Sequence, residues 1–125
     1  MISRSGLALA GLLAFGSASA VEMPFSQQAY DQAMRHKAPV IVDFFAGWCP
    51  TCRIQRPLIK YLASSARFNN VLVLVATYDL EKPLEKTLNI GVQGTIVVFK
   101  GGREVGRDVG EMNVGELAKL FSKAL

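Results

Sequence analysis

The stretch "VIVDFFAGWCPTCRIQRP", residues 40–57, decides how this chain folds and holds its only two cysteines, Cys49 and Cys52. Its first half is a near-continuous apolar run, the pattern of a strand buried on both faces. From Pro50 the pattern turns helical, with Ile54, Leu58, Tyr61 and Leu62 expected on the buried face. Proline suits the first position of a helix, where its missing N–H costs nothing and its fixed φ is already helical. Cys49 therefore falls at the N-cap. There its sulfur meets the free N–H groups of the first turn and the positive end of the helix dipole. Both favour thiolate, the form of a cysteine that attacks. The expectation is a lowered pKa for Cys49 and a nucleophilic role. Cys52, almost one turn further in and shielded by the helix, would attack the resulting mixed disulfide and release the substrate.

Three readings of the pair are open: a structural staple, a pair of metal ligands, or a reactive dithiol. A Cys49–Cys52 disulfide closes a very small loop, and small loops restrict the unfolded chain least, so the spacing serves a staple badly. It serves redox chemistry well, because both sulfurs stay together in either oxidation state.

The chain's 125 residues open with one positive charge, Arg4, an apolar run from about Gly6 to Gly16, and "SASA" ending at Ala20. This reads as a secretory signal peptide over residues 1–20, cleaved after Ala20. The alternative is an uncleaved anchor, but the run falls short of the ~20 residues a comfortable membrane span needs. Residues 21–125 then form one domain, large enough for a core of its own. A periplasmic or secreted location follows, where disulfides persist. The formal net charge of +4 is mild. Basic residues such as Arg35, Arg53, Arg56, Lys60 and Arg107 are scattered along the chain. They read as solvated faces, not as a nucleic-acid footprint.

Around the central segment, "FSQQAYDQAMRHK" (25–37) spaces Phe25, Ala29, Ala33 and Met34 for one helix face, with Ser26 as cap and His36 closing it. "NVLVLVATYD" (70–79) reads as a second buried strand, and "LEKPLEKTLNI" (80–90) as a short helix with Pro83 near its start. "GTIVVFKGGREVGRDVGE" (94–111) is a hairpin turning at Gly101 and Gly102. "NVGELAKLFSKAL" (113–125) closes as an amphipathic helix capped by Asn113, with Val114, Leu117, Leu120 and Phe121 inward. The expected order is α-β-α-β-α-β-β-α, with a parallel right-handed crossover between the first two strands.

This order, with WCxxC at the end of a buried strand, resembles the thioredoxin family over about residues 25–125. "VDFFAGWCPTC" is similar to its active-site strand and motif, "CRIQRP" to the following helix kinked at Pro57, and the hairpin ending at Gly110 to its C-terminal part. The resemblance implies an α/β thioredoxin fold, with a central mixed β-sheet flanked by helices on both faces. It also implies a buried acid at Asp43. Burial raises a carboxyl pKa, and such an acid is placed to take the proton of Cys52, directly or through water. Trp48, Pro50, Thr51, Gly94 and Thr95 would flank an incoming substrate.

The sequence departs from the family at one position. The family's cis-proline before the penultimate strand is absent from "NIGVQGTIVVF": in the preferred gap-free register Gly94 replaces it, followed by Thr95, and with a two-residue gap it is deleted. A trans Gln93–Gly94 bond is expected, in a looser and more open loop that would accept Gly94→Pro. The family's lysine near the buried acid is also missing, since the neighbouring strand offers Val73 and Val75.

The function these features favour is an exported thiol–disulfide oxidoreductase acting on protein or small-molecule thiols and disulfides, with no cofactor. The resemblance extends to exported reductase domains fed by a membrane-embedded electron donor, and the expected state is a monomer. Two other classes stay open. One is a metal-binding or metal-delivery protein using the same cysteines, although two thiolates alone are too few for a closed zinc site and a dimer would have to supply four. The other is a redox-inert interaction domain.

Overall fold

The computed structural model describes residues 22–125, so the expected signal segment lies outside the described residues. The elements in chain order are β1 (Glu22–Pro24), α1 (Gln27–Arg35), β2 (Val40–Phe45), α2 (Pro50–Ala63), β3 (Leu72–Thr77), α3 (Lys82–Leu88), β4 (Thr95–Lys100), β5 (Arg103–Val109) and α4 (Val114–Ser122). A single 3-10 turn, Ala66–Phe68, follows α2. The strands form one sheet in the order β1-β3-β2-β4-β5. β1 and β2 run parallel to β3, while β4 is antiparallel to both β2 and β5. The hairpin turns through Gly101 and Gly102, both at positive φ, where glycine carries no penalty.

Strand residues alternate between two apolar layers because side chains leave a strand on opposite faces in turn. Ile41, Val73, Ile96 and Val98 pack with Ile59 and Leu62 of α2 and Leu117, Leu120 and Phe121 of α4. Val40, Val42, Phe44, Leu74, Val97 and Phe99 pack on the other side with Ala33 of α1 and Leu84 of α3. Helices cover both faces of a mixed sheet, as expected. The same alternation places Asp43, in register between Val75 and Ile96, at the centre of the sheet and in phase with Ile41 on the α2 side.

The structure corrects three expectations. β1 precedes the first helix and adds a short edge strand that the sequence reading lacks. The buried face of α2 is Cys52, Gln55, Ile59, Leu62 and Ala63, whereas Ile54 and Tyr61 are 52% and 67% exposed. Of the expected stripe, Leu62 is buried and Leu58 packs half-buried against the same core, while Ile54 and Tyr61 face outward; a buried glutamine lies in the true stripe and reads as polar surface in sequence. Val114, at the first turn of α4, is exposed as well. The caps at Ser26 and Asn113 are as expected, each side chain accepting from the N–H three residues on.

Candidate active site

β2 ends at Phe45 and α2 begins at Pro50, after four intervening residues, so both cysteines sit over the end of the sheet's central strand. Cys49 is the N-cap of α2 in extended conformation, with Pro50 next to it as the first helical residue. The Cys52 N–H donates to Cys49 Sγ at 3.2 Å. Cys49 and Cys52 are free thiols, packed with Ala46 against Phe45 and Tyr78. Burial pushes the Cys49 thiol up, but hydrogen bonds from the Cys52 thiol and N–H, the Gln93 side chain and the Thr51 N–H outweigh it, and the net shift is downward. Burial pushes Cys52 up to about 11, reinforced by its hydrogen bond to Cys49 and by the nearby charge of Asp43. The two thiols are thus driven apart, one toward thiolate and one toward thiol.

Asp43 is fully buried on β2. Its Oδ2 accepts from Arg56 Nη1 at 2.6 Å, and Arg56 is paired in turn with Glu22 of β1. Burial raises the Asp43 carboxyl to about 6, against the downward pull of Arg56. The acid therefore has a cation beside it. That cation comes from α2 and not from β3, and Arg56, which reads as solvated surface in the sequence, lies at the sheet's covered face. Asp43 Oδ1 has no hydrogen-bond partner among the described residues.

Trp48 lies 57% exposed beside the pair, held by its Nε1 donating to Asp79 Oδ2 at 2.7 Å. Pro50 is exposed and Thr51 half-buried. Gly94 is brought against the dithiol: a Cβ built on it would stand 3.9 Å from Cys52 Sγ and 3.3 Å from Gln55 Oε1. Among the described residues no peptide bond is cis.

The expected loose loop at Gly94 is not found. Its N–H donates to the Phe44 carbonyl at 2.7 Å, and its carbonyl accepts from Gly110 N–H at 3.0 Å and from Gln55 Nε2 at 3.2 Å. Its φ of +80° is one that proline cannot adopt, so the expected tolerance of Gly94→Pro also falls. Thr95 is the other correction among the substrate-flanking residues. Its side chain is buried and its Oγ1 donates to the Val92 carbonyl at 2.7 Å, so it serves the turn.

Four participants were missed by the sequence reading: Arg56 and Glu22 at the acid, Asp79 under Trp48, and Gln55 bridging α2 to the Gly94 and Glu111 carbonyls. Among the described residues no group of three or more His, Cys, Asp or Glu gathers as metal ligands. The two thiols thus stand without the further ligands that a closed site requires.

The thioredoxin family model matches residues 21–123. The chain is 36% identical over 86 residues to a thioredoxin of Chlamydia muridarum, covering 67% of this chain and 80% of that protein. It is 31% identical over 109 residues to thioredoxin Asp f 28 of Aspergillus fumigatus, covering 87% and 95% of the two chains. Among solved structures, Trxlp from Edwardsiella tarda superposes with a TM-score of 0.76 at 30% identity, over 78% of this chain and 95% of that one. With the dithiol at a helix cap and a buried acid on the central strand of a mixed five-stranded sheet, the chain belongs to the thioredoxin family and is a thiol–disulfide oxidoreductase.

Proposed function

We propose that this protein is an exported enzyme that reduces or exchanges disulfides in other proteins, with Cys49 attacking and Cys52 resolving. The observation that carries this reading is the opposed state of the two thiols. Cys49 Sγ accepts the Cys52 N–H at the helix cap and is shifted toward thiolate, while Cys52 is held as a thiol. A Cys49 thiolate attacks a substrate disulfide and forms a mixed disulfide, expelling one substrate sulfur. Cys52 must then lose its proton before it can attack Cys49 Sγ and release the second. Asp43, whose carboxyl titrates at about 6, is the acceptor in this reading, with Arg56 stabilising the carboxylate. Trp48 flanks the pair and offers the substrate an apolar surface, and Gly94 leaves the space beside Cys52 Sγ free of a side chain.

Trapping tests the roles. Cys52→Ser should accumulate mixed disulfides with protein substrates through Cys49, and Cys49→Ser should not. The reverse pattern would exchange the assignments. Export rests on the "SASA" signal pattern at residues 17–20. Expressed from its full sequence in a bacterium with a periplasm, the protein should appear in that compartment beginning at Val21, and recovery of the full-length chain in the cytoplasm would refute export.

A further inference from the structure

Asp43 is fully buried, yet only one of its two carboxyl oxygens is engaged. Arg56 Nη1 donates to Oδ2 at 2.6 Å, while Oδ1 has no hydrogen-bond partner among the described residues. A guanidinium beside a carboxylate can meet both oxygens with two parallel N–H groups. Here the second arm is taken, because Arg56 Nη2 donates to Glu22 Oε1 on the edge strand β1. Glu22 is largely covered as well, its side chain 15% exposed. Arg56 also lines two clefts, one of about 410 Å³ shared with Cys52 and Lys60, and one of about 240 Å³ shared with Glu22 and Val75. Space on that scale lets the guanidinium turn, so the two carboxylates it joins set its orientation. The charged groups acting on Asp43 are Arg56 of α2 and Glu22 of β1, and the titratable group beside it is Cys52, also of α2. Its register partners, Val75 of β3 and Ile96 of β4, are apolar, and α4 brings Leu117, Leu120 and Phe121 to the same side of the sheet.

We propose that Glu22 is a positioning residue for the resolving step: by holding the second arm of Arg56, it keeps Asp43 Oδ1 free to take the Cys52 proton. The inference rests on the reading of Asp43 as the proton acceptor and adds the residue that keeps it competent. A buried carboxyl with no cation keeps its proton and is no base near neutral pH. One clamped by both guanidinium arms is stabilised as carboxylate, with both oxygens occupied, and is a weak base. One cation shared between two carboxylates lies between these limits. The charge of Glu22 also opposes that of Arg56 at the Asp43 carboxyl. In the step itself the Cys52 S–H proton passes to Asp43 Oδ1, directly or through water. The Cys52 thiolate then bonds to Cys49 Sγ, the mixed disulfide breaks, and the substrate's second sulfur leaves as thiolate. Over the cycle the protein dithiol gives up two electrons and the substrate disulfide gains them.

The test mixes reduced protein with stoichiometric 4,4′-dithiodipyridine, whose released thiol absorbs light, in a stopped-flow instrument. The first equivalent released reports attack by Cys49, and the second reports resolution by Cys52. In the wild type the second step should rise with pH about a midpoint near about 6. Glu22→Met keeps the length of the side chain and removes its oxygens. It should slow the second step about tenfold at its plateau, part of the ~10²–10⁴-fold that a positioned acid or base contributes, and lower the midpoint by about one unit. The first step should not change. Glu22→Gln can still accept from Arg56 Nη2, so it should keep the wild-type plateau while its midpoint falls, because only the charge is lost. In an Asp43→Asn background Glu22→Met should add nothing, since both act through one carboxyl. A wild-type second step in Glu22→Met, a Glu22→Gln variant as slow as Glu22→Met, or further slowing in the Asp43→Asn background would each overturn the proposal. Asp43→Asn separates the two levels. If it slows the second step and Glu22→Met does not, only the role of Glu22 falls. If it leaves the second step at the wild-type rate, the reading of Asp43 as acceptor falls and this inference with it.

Discussion

At the scale of single residues, Asp43 sets a pH dependence in both stability and turnover. Its native carboxyl titrates at about 6, and in the unfolded chain an aspartate titrates near ~3.9. Between those values the native state holds the proton more tightly. The stability that Asp43 contributes is therefore greatest at low pH, declines as pH rises from about 4 to about 6, and is flat above. The loss amounts to about 3 kcal/mol. Asp43→Asn removes the titration, so urea unfolding at pH 4 and pH 8 should show the variant gaining that difference over wild type at the higher pH. Equal losses in both proteins would place the titration elsewhere. The same variant should slow release of the mixed disulfide above about pH 6, where the wild-type carboxylate is free to accept the Cys52 proton, and converge with wild type below it. The acid and the cysteines were legible in the sequence because each carries a local signal: an aspartate inside an apolar run, and a cysteine directly before Pro50. Arg56 and Glu22 were not, because their pairing depends on how α2 lies over the sheet and on an edge strand with no pattern of its own.

At the scale of elements, the loop before β4 is pinned by both its backbone groups at Gly94. Gly94→Pro would remove the N–H that meets Phe44 and demand a φ of about −65° where the chain holds +80°. The loss of that bond alone costs ~1–3 kcal/mol, and the backbone conflict adds to it. Chemical denaturation should find Gly94→Pro destabilised by several kcal/mol or unfolded. A Gly94→Ala variant is the milder probe, expected to lose ~1–2 kcal/mol for the left-handed backbone. A proline variant as stable as wild type would mean that the loop has a second conformation of equal energy. The sequence shows that proline is absent here, but it is silent on the replacement geometry, which depends on contacts with Phe44, Gln55 and Gly110, each far away in the chain. The α2 face was misjudged for a related reason. Gln55 is buried because two distant carbonyls receive its amide N–H groups, a compensation that periodicity does not register.

At the scale of the whole molecule, the order of strands and helices was readable because each central strand is an apolar run and each helix has a cap or a proline at its start. The exception is β1, whose three residues gain strand character only by pairing with β3. It has a function beyond edge pairing, since Glu22 joins Arg56 and extends the charge cluster from the sheet's centre to its edge. The fold brings the end of β2, the start of α2, and the turn before β4 to one end of the sheet. The thiol pair, its acid and the flanking glycine all meet there.

The central claim is that this assembly divides the dithiol into an attacking Cys49 and a resolving Cys52. The pH dependence of iodoacetamide alkylation, read separately for each cysteine by mass spectrometry on the reduced protein, tests it most directly. The account predicts that Cys49 reacts first, with a midpoint below the ~8.5 of an ordinary thiol, and that Cys52 stays unmodified until well above it, in keeping with its shift to about 11. Alkylation of Cys52 ahead of Cys49, or a Cys49 midpoint at or above that of an ordinary thiol, would contradict it.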